Sequence, residues 1–405
     1  MFRTDGSSAL AMQETFPLDY SPTIPSGAQS YSNDDASKMF ANPSEMLTFL
    51  QEREDNATWQ TGVGIQSLCV SLLEDATYVY RLAPPEIIFD TAKNTGLVLH
   101  GDYLPQTAIR SCAIPSLQDR ARISGSALGK VSKPVLRNIL NECLHVAAKN
   151  SVARIRIADG KISAVRSSRY VPLAMPELFE TTMAYIADKF STASPLNHFA
   201  GGSWSHIITT AEWALSGEDA LIEAYKTALS KHGIEHSNIQ PGLRLSSSDI
   251  GESSVNLTPK LVVGKDRLLL PLGGAIGLEH KDDATMSKFR ENLDGIFALY
   301  GDKLAKLARL LDVEISYPES CMKGVLKRLG VPKKYGVPTL ETFARGFADG
   351  DSCTAHDIYY GLGDLLFQLQ IHNVTGEQVL RMEETIAKTL SWNFSDYDHP
   401  VALDY

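Results

Sequence analysis

The chain holds 405 residues, 43% of them hydrophobic, with a formal net charge of -10, which leaves room for two or three globular domains with real cores. Five widely spaced cysteines (Cys69, Cys112, Cys143, Cys321, Cys353) without a CxxC pair exclude a disulfide framework and a thiolate zinc site, and fit a reducing compartment. With no basic, apolar leader and no apolar run near the roughly 18 residues of a membrane span, the expectation is no signal peptide, no membrane and a cytoplasmic location.

Residues 1 to 41 combine Ser, Asp, Pro and Gly with few large aliphatics and read as a disordered tail. Pro43 and Ser44 open a helix through about Asn56, with Met46, Leu47, Phe49 and Leu50 on one side. From Val63 to His100 the short apolar runs IQSLCVSLL, YVYRLA and TGLVLH read as strands. Pro115 interrupts any helix begun at Thr107, and Gly125 and Gly129 add turns.

A helix follows from Pro134, its apolar set Leu136, Ile139, Leu140, Cys143 and Ala147 at helical spacing. Lys133, Arg137, Asn141, His145 and Lys149 form a second, polar and mostly basic ridge. The segment SVARIRIADGKISAVRSSRYVPL reads as a β-hairpin turning at Asp159 and Gly160. Period-2 alternation puts Ala153, Ile155 and Ile157 on one face and Val152, Arg154 and Arg156 on the other, so the arginines project together.

Pro176 begins a helix to about Phe190, and Ser216 with Asp219 forms a capping box for a helix to Lys231. Residues 244 to 271 return to strand patterning. Beyond His280 the chain turns helical. Met286, Phe289, Leu293, Ile296, Tyr300, Leu304, Leu307 and Leu311 follow a 3-4 repeat, and shorter helices are predicted at about 319 to 329, 338 to 348, 354 to 372 and 376 to 391, the last capped by Thr375 and Gln378. The reading is an α+β fold: a tail over 1–41, a mixed core with antiparallel strands over 42–280, and a helical region over 281–405.

Charge is the most uneven property of the chain. Between Arg110 and Tyr170 stand twelve Lys and Arg against three acids (Asp119, Glu142, Asp159), a local +9; the remaining 26 basic and 45 acidic side chains make -19. Such asymmetry points to a surface that meets polyanions. The bland alternative is that these cations pair with acids of the same chain, where exposed pairs are common but weak. In favour of the first, the arginine hairpin, the basic ridge and Tyr170 beside Arg169 supply charge plus one stacking ring, as backbone or single-strand recognition requires.

No motif discloses a reaction. His232 and His236 in KHGIEH are interrupted by Gly233 and lack further ligands, and Asp396, Asp398 and His399 are too few for a hard cation. PLGGAIGLEH and VVGKD lack the spacing of a dinucleotide or phosphate loop, and GGSWSH is no nucleophile elbow. No catalytic residue, metal or cofactor is expected.

Several segments in order resemble the phage and plasmid-like proteins grouped as domain of unknown function 932: LPQTAIRSCAIPSLQDRARISG, VLRNILNECL, DGKISAVRSSRYVPLAMPELFE, SHIITTAEW, LSSSDIGESSVNLTPKLVV, TAHDIYYGLGDLLFQL and LRMEETIAKTL, spanning about 60 to 395. Each is loose by itself, and their order carries the likeness. The resemblance implies a gene on mobile elements and a cytoplasmic protein of a bacterial host; it implies no activity and no catalytic residues.

The functional expectation is therefore a non-enzymatic nucleic-acid-binding protein, with single-stranded DNA a candidate ligand, assisting replication, recombination or strand annealing of a mobile element. Arg154, Arg156, Arg166 and Arg169 contact phosphates in this reading, Lys133, Arg137 and Lys149 extend the track, and Tyr170 stacks. Its rivals are a protein-interaction module engaging a host or phage partner through the helical region, and a divalent-metal-dependent hydrolase or nuclease whose acids converge only in three dimensions.

Overall fold

Among the described residues, antiparallel pairing and three apolar cores organise the protein. The computed structural model describes residues 37–73, 95–190, 198–215, 217–236, 238–263, 268–347, 351–372 and 376–400. It is α+β, with antiparallel sheets and a helical C-terminal region.

The central element is a large sheet of β1 (Ser37–Phe40), β8 (Phe199–Ser205), β9 (Thr209–Ala214), β10 (Ile239–Ser247), β11 (Val255–Val263) and β12 (Leu268–Pro271), in that order, with β13 (Ile276–Leu278) also on β11. β1 corrects the extent of the expected tail: Ser37 to Phe40 pair with Gly202 to Ser205, and Phe40 is buried. Residues 1–36 lie outside the described residues, as do 78–83 of the expected strand YVYRLA and the capping residues Ser216 and Thr375.

Helix α1 (Pro43–Asp55) starts where Asn42 Oδ1 accepts from the amides of Ser44 and Glu45, and it lays Met46 and Leu50 on this sheet. Gly202 makes room there, since a Cβ would lie 2.3 Å from Met46 Sδ and the methionine would have to shift.

A second core is built by residues 57 to 167. Its sheets are β2 (Ala57–Gly64), β6 (Val152–Ala158) and β7 (Lys161–Ser167), and β3 (Cys69–Leu72), β4 (Leu97–Gly101) and β5 (Leu104–Ala108). They close over α2 (Ile114–Arg120) and α3 (Lys133–His145), burying Leu117, Leu140 and Leu144 with Ile155 and Val165. Thr107 lies in a strand, and Pro115 belongs to the first turn of α2, where its missing N–H has no partner to lose.

The C-terminal helices form the third core. In α6 (Met286–Arg309), Phe289, Leu293 and Ile296 belong to the large-sheet core, while Tyr300, Leu304 and Leu307 face the helical core. The change of character read near residue 280 thus opens a helix that joins two cores. α4 (Met175–Lys189) packs with α6 beside the sheet, and α5 (Glu223–Lys231) precedes β10. α7 (Pro318–Arg328), α8 (Lys333–Ala344), α9 (Ala355–Ile371) and α10 (Gly376–Thr389) complete the region, and β14 (Glu314–Ile315) pairs with β15 (Cys353–Thr354). α8 begins five residues before the expected start, with Pro338 inside it: packing of Tyr335, Leu340 and Phe343 offsets the lost N–H.

Buried charge ties this core to the sheet. Glu383 of α10 accepts from Arg244 of β10 and from Lys260 Nζ of β11 (2.6 Å), and Arg244 also donates to Glu212 of β9. Burial lowers the Lys260 pKa well below its ordinary value.

Candidate nucleic-acid interface

The hairpin of β6 and β7 turns at Asp159 and Gly160, with φ of 51° and 71°, and Arg154 pairs across it with Arg166. Its apolar face matches the alternation: Ala153 and Ile155 are buried in the second core and Ile157 packs against it. The other face is where the expectation fails. Arg156 does not project to solvent; its side chain is 1% exposed and Nη2 meets Glu54 Oε2 at 3.1 Å and Asp249 Oδ2 at 3.2 Å.

The covering layer is the β10–β11 connection together with α1. Arg166 donates from Nε to the Ile250 carbonyl (2.7 Å) and from Nη2 to Glu252 Oε1 (2.5 Å). A side chain at Gly251 (φ 76°) would strike the Tyr170 ring at 2.5 Å. Tyr170 is 6% exposed, its ring packed against Trp59 (5.0 Å) and His280 (5.2 Å), and burial raises its pKa. It is no platform for an incoming base. Arg169 is the outward member, 71% exposed by side chain and paired with Asp282.

Asp159, at the hairpin tip, receives Arg110 (3.2 Å) and Arg53 (3.5 Å), and Arg53 lies over the Trp204 ring at 4.1 Å. Burial, and then the nearby Arg110, Arg53, Lys161 and Arg156, push His206 down to about 3, so its imidazole is neutral beside Arg110. Burial likewise lowers His280, whose Nδ1 lies 3.1 Å from the Val171 carbonyl oxygen. Arg53 Nε, Arg156 Nε and Asp249 Oδ1 are buried without a hydrogen-bond partner among the described residues. Arg156 and Arg166 of the hairpin, with Arg53 and Arg110, thus form a junction between the second core and the large sheet.

The α3 ridge has a different surrounding. Asn141 does not face solvent: its amide exchanges two hydrogen bonds with Val70 (2.7 and 2.9 Å), satisfying the β3 edge. Lys133 is half-buried near Gly96, Arg137 is half-buried with its Nε donating to Asn138, and Lys149 is exposed. Arg122 and Lys130 are exposed on the connection that leads into α3. Arg154 is half-buried on the neighbouring strand. Between Arg120 and Asp159 the only acid is Glu142.

Beside this ridge, the turn Ile65–Ser67 and α3 flank an open surface cleft of about 260 Å³ lined by Gln66, Ser67, Leu68, Cys69, Asn141, Glu142 and His145. No sequence motif marked it, because its two walls are far apart in the chain. The acids of the arginine junction left one sequence trace. Glu52, Glu54 and Asp55 crowd the end of α1, where a helix disfavours negative charge unless a cation faces it.

The remaining motifs take local roles. His232 lies 3.3 Å from Asp312, His236 bonds Ser230, and Asp398 accepts from the amides of Ser316 and Tyr317. Among the described residues no group of three or more His, Cys, Asp or Glu is placed to hold a metal ion, and no helix is long and apolar enough to cross a membrane. No protein-family model, curated protein or solved structure matches the chain.

Proposed function

We propose that this protein binds single-stranded nucleic acid along the outward face of the basic block, with Lys130, Lys133 and Lys149 meeting phosphates and Arg122 and Arg137 flanking them. The observation that carries the reading is the split within the block. Arg156 and Arg166 of the hairpin are consumed by Glu54, Asp249 and Glu252, and Arg110 by Asp159, whereas Arg122, Lys130, Lys133 and Lys149 have no ion-pair partner among the described residues. Cations without partners carry counterion-release binding, since a paired one must first give up its acid. α3 lies flat on the β3 edge through Asn141, which suits a strand passing over it better than entry into a duplex groove. The ordered likeness to domain of unknown function 932 extends the proposal to an accessory role in replication, recombination or annealing of a mobile element.

Fluorescence anisotropy with a labelled oligonucleotide at several salt concentrations tests it. Lys130→Glu, Lys133→Glu and Lys149→Glu combined should abolish binding at moderate salt, and the wild-type slope of log K against log salt should be about -2 for three contacts at roughly 0.7 each. Equal affinity of the folded triple variant and wild type would overturn the proposal. A protein partner has one observation in its favour: Phe367 and Ile371, one turn apart on α9, are 55% and 43% exposed.

A further inference from the structure

We propose that the cleft between the Ile65–Ser67 turn and α3 is a base pocket, taking one nucleobase that presents an amino group, while the strand's phosphates lie on the lysines outside. This rests on the nucleic-acid reading above and names what that interface recognises. At about 260 Å³ the cleft falls below the roughly 300 to 1,000 Å³ of pockets for drug-sized ligands and suits a single heterocycle.

Its hydrogen-bonding inventory selects the ligand. Both ends of the Asn141 amide are engaged by Val70. Gln66 Nε2 donates to the carbonyls of His145 (3.2 Å) and Ala147 (2.6 Å), and Ser67 Oγ donates to Gly64 O and accepts from Asp102 N. What remains without a hydrogen-bond partner among the described residues is the Gln66 side-chain oxygen, the Glu142 carboxylate and the His145 ring, exposed groups in a set dominated by acceptors. A carboxylate accepts from a base amino group, as in the pairing of Glu or Asp with cytosine N4, and repels phosphate. The one acid between Arg120 and Asp159 therefore stands where a base belongs and a phosphate does not. Leu68 is buried at the floor, and Cys69 is half-buried at the wall.

Two readings on the intact protein test this. Affinities for oligo-dC and oligo-dT of equal length are compared in wild type and Glu142→Ala, and alkylation of Cys69 is followed by peptide mass spectrometry with each oligonucleotide or with heparin. The ratio of affinities is the readout, because removing Glu142 strengthens binding of any polyanion. The pocket predicts at least about fivefold preference for oligo-dC, the low end of a good base contact, lost in Glu142→Ala, with Cys69 protected by oligo-dC and not by heparin. Equal affinities without protection of Cys69, while the lysine triple variant still loses binding, would overturn the pocket and leave the interface standing. Protection by heparin to the same degree would also overturn it. Absence of oligonucleotide binding at low salt would remove the interface and the pocket together.

Discussion

The hairpin of β6 and β7 and the stretch around α3 have similar density of positive charge and opposite fates. In the hairpin, Arg156 and Arg166 are held by Glu54, Asp249 and Glu252, from α1 and the β10–β11 connection. Around α3, Lys130 and Lys149 face solvent, and Glu142, the one acid between Arg120 and Asp159, lines a cleft. The pairs of the hairpin are partly or fully desolvated, so each removed partner leaves a charge without compensation. The solvated Lys130 and Lys149 on either side of α3 contribute little to folding and remain available to an outside anion. A cluster of basic residues is thus divided by where acids arrive in space, and only the unspent half is a candidate for function.

The largest expected effect separates the two regions by stability. Arg156→Ala strands Glu54 and Asp249 and should cost about 3 to 5 kcal/mol in urea unfolding. A loss under 1 kcal/mol would mean that the junction is not closed in solution.

Acidification comes next. The His206 pKa falls from an ordinary 6.5 to about 3 on folding, so between these values the unfolded chain binds more protons and stability decreases as pH falls. From pH 7 to pH 5 this group alone should cost about 2 kcal/mol. Burial raises Asp364 to about 6, and that group acts in the opposite sense: its proton is favoured on folding, and its contribution grows as pH falls through 6. The difference between wild type and His206→Gln isolates the histidine. Parallel pH profiles for the two proteins would refute a neutral, buried His206.

For the outward half, Lys130→Glu, Lys133→Glu and Lys149→Glu should each change stability by less than about 0.5 kcal/mol while the combined variant loses oligonucleotide binding. A large drop in melting temperature would place these lysines in the same class as Arg156. Smallest of all is Arg169→Ala, which removes a solvent-exposed pair with Asp282. Its unfolding curve should overlay that of wild type, and a resolvable shift would extend the inward junction to residue 169.

Much of the local structure was legible along the chain. Asp159 and Gly160 favour positive φ wherever the hairpin docks. The 3-4 repeat from Met286 to Leu311 forms one helix as far as Leu307, with Leu311 in the turn that follows, and every member except Met286 is buried. Alternation also separated Ile155 from Arg154 correctly, because side-chain direction in a strand is local geometry.

Sequence periodicity by itself determined that the second hairpin face is charged; it did not determine that this face is interior. Glu54 lies 102 residues from Arg156, and Asp249 belongs to the connection between β10 and β11. The cleft beside α3 had no signal for the same reason, since its walls come from residues 66 to 69 and 141 to 145. Turn propensity and periodicity are properties of neighbours in sequence. Desolvation and ion pairing depend on neighbours in space, and for the basic block only the tertiary structure decided which arginines were enclosed and which lysines stayed in water.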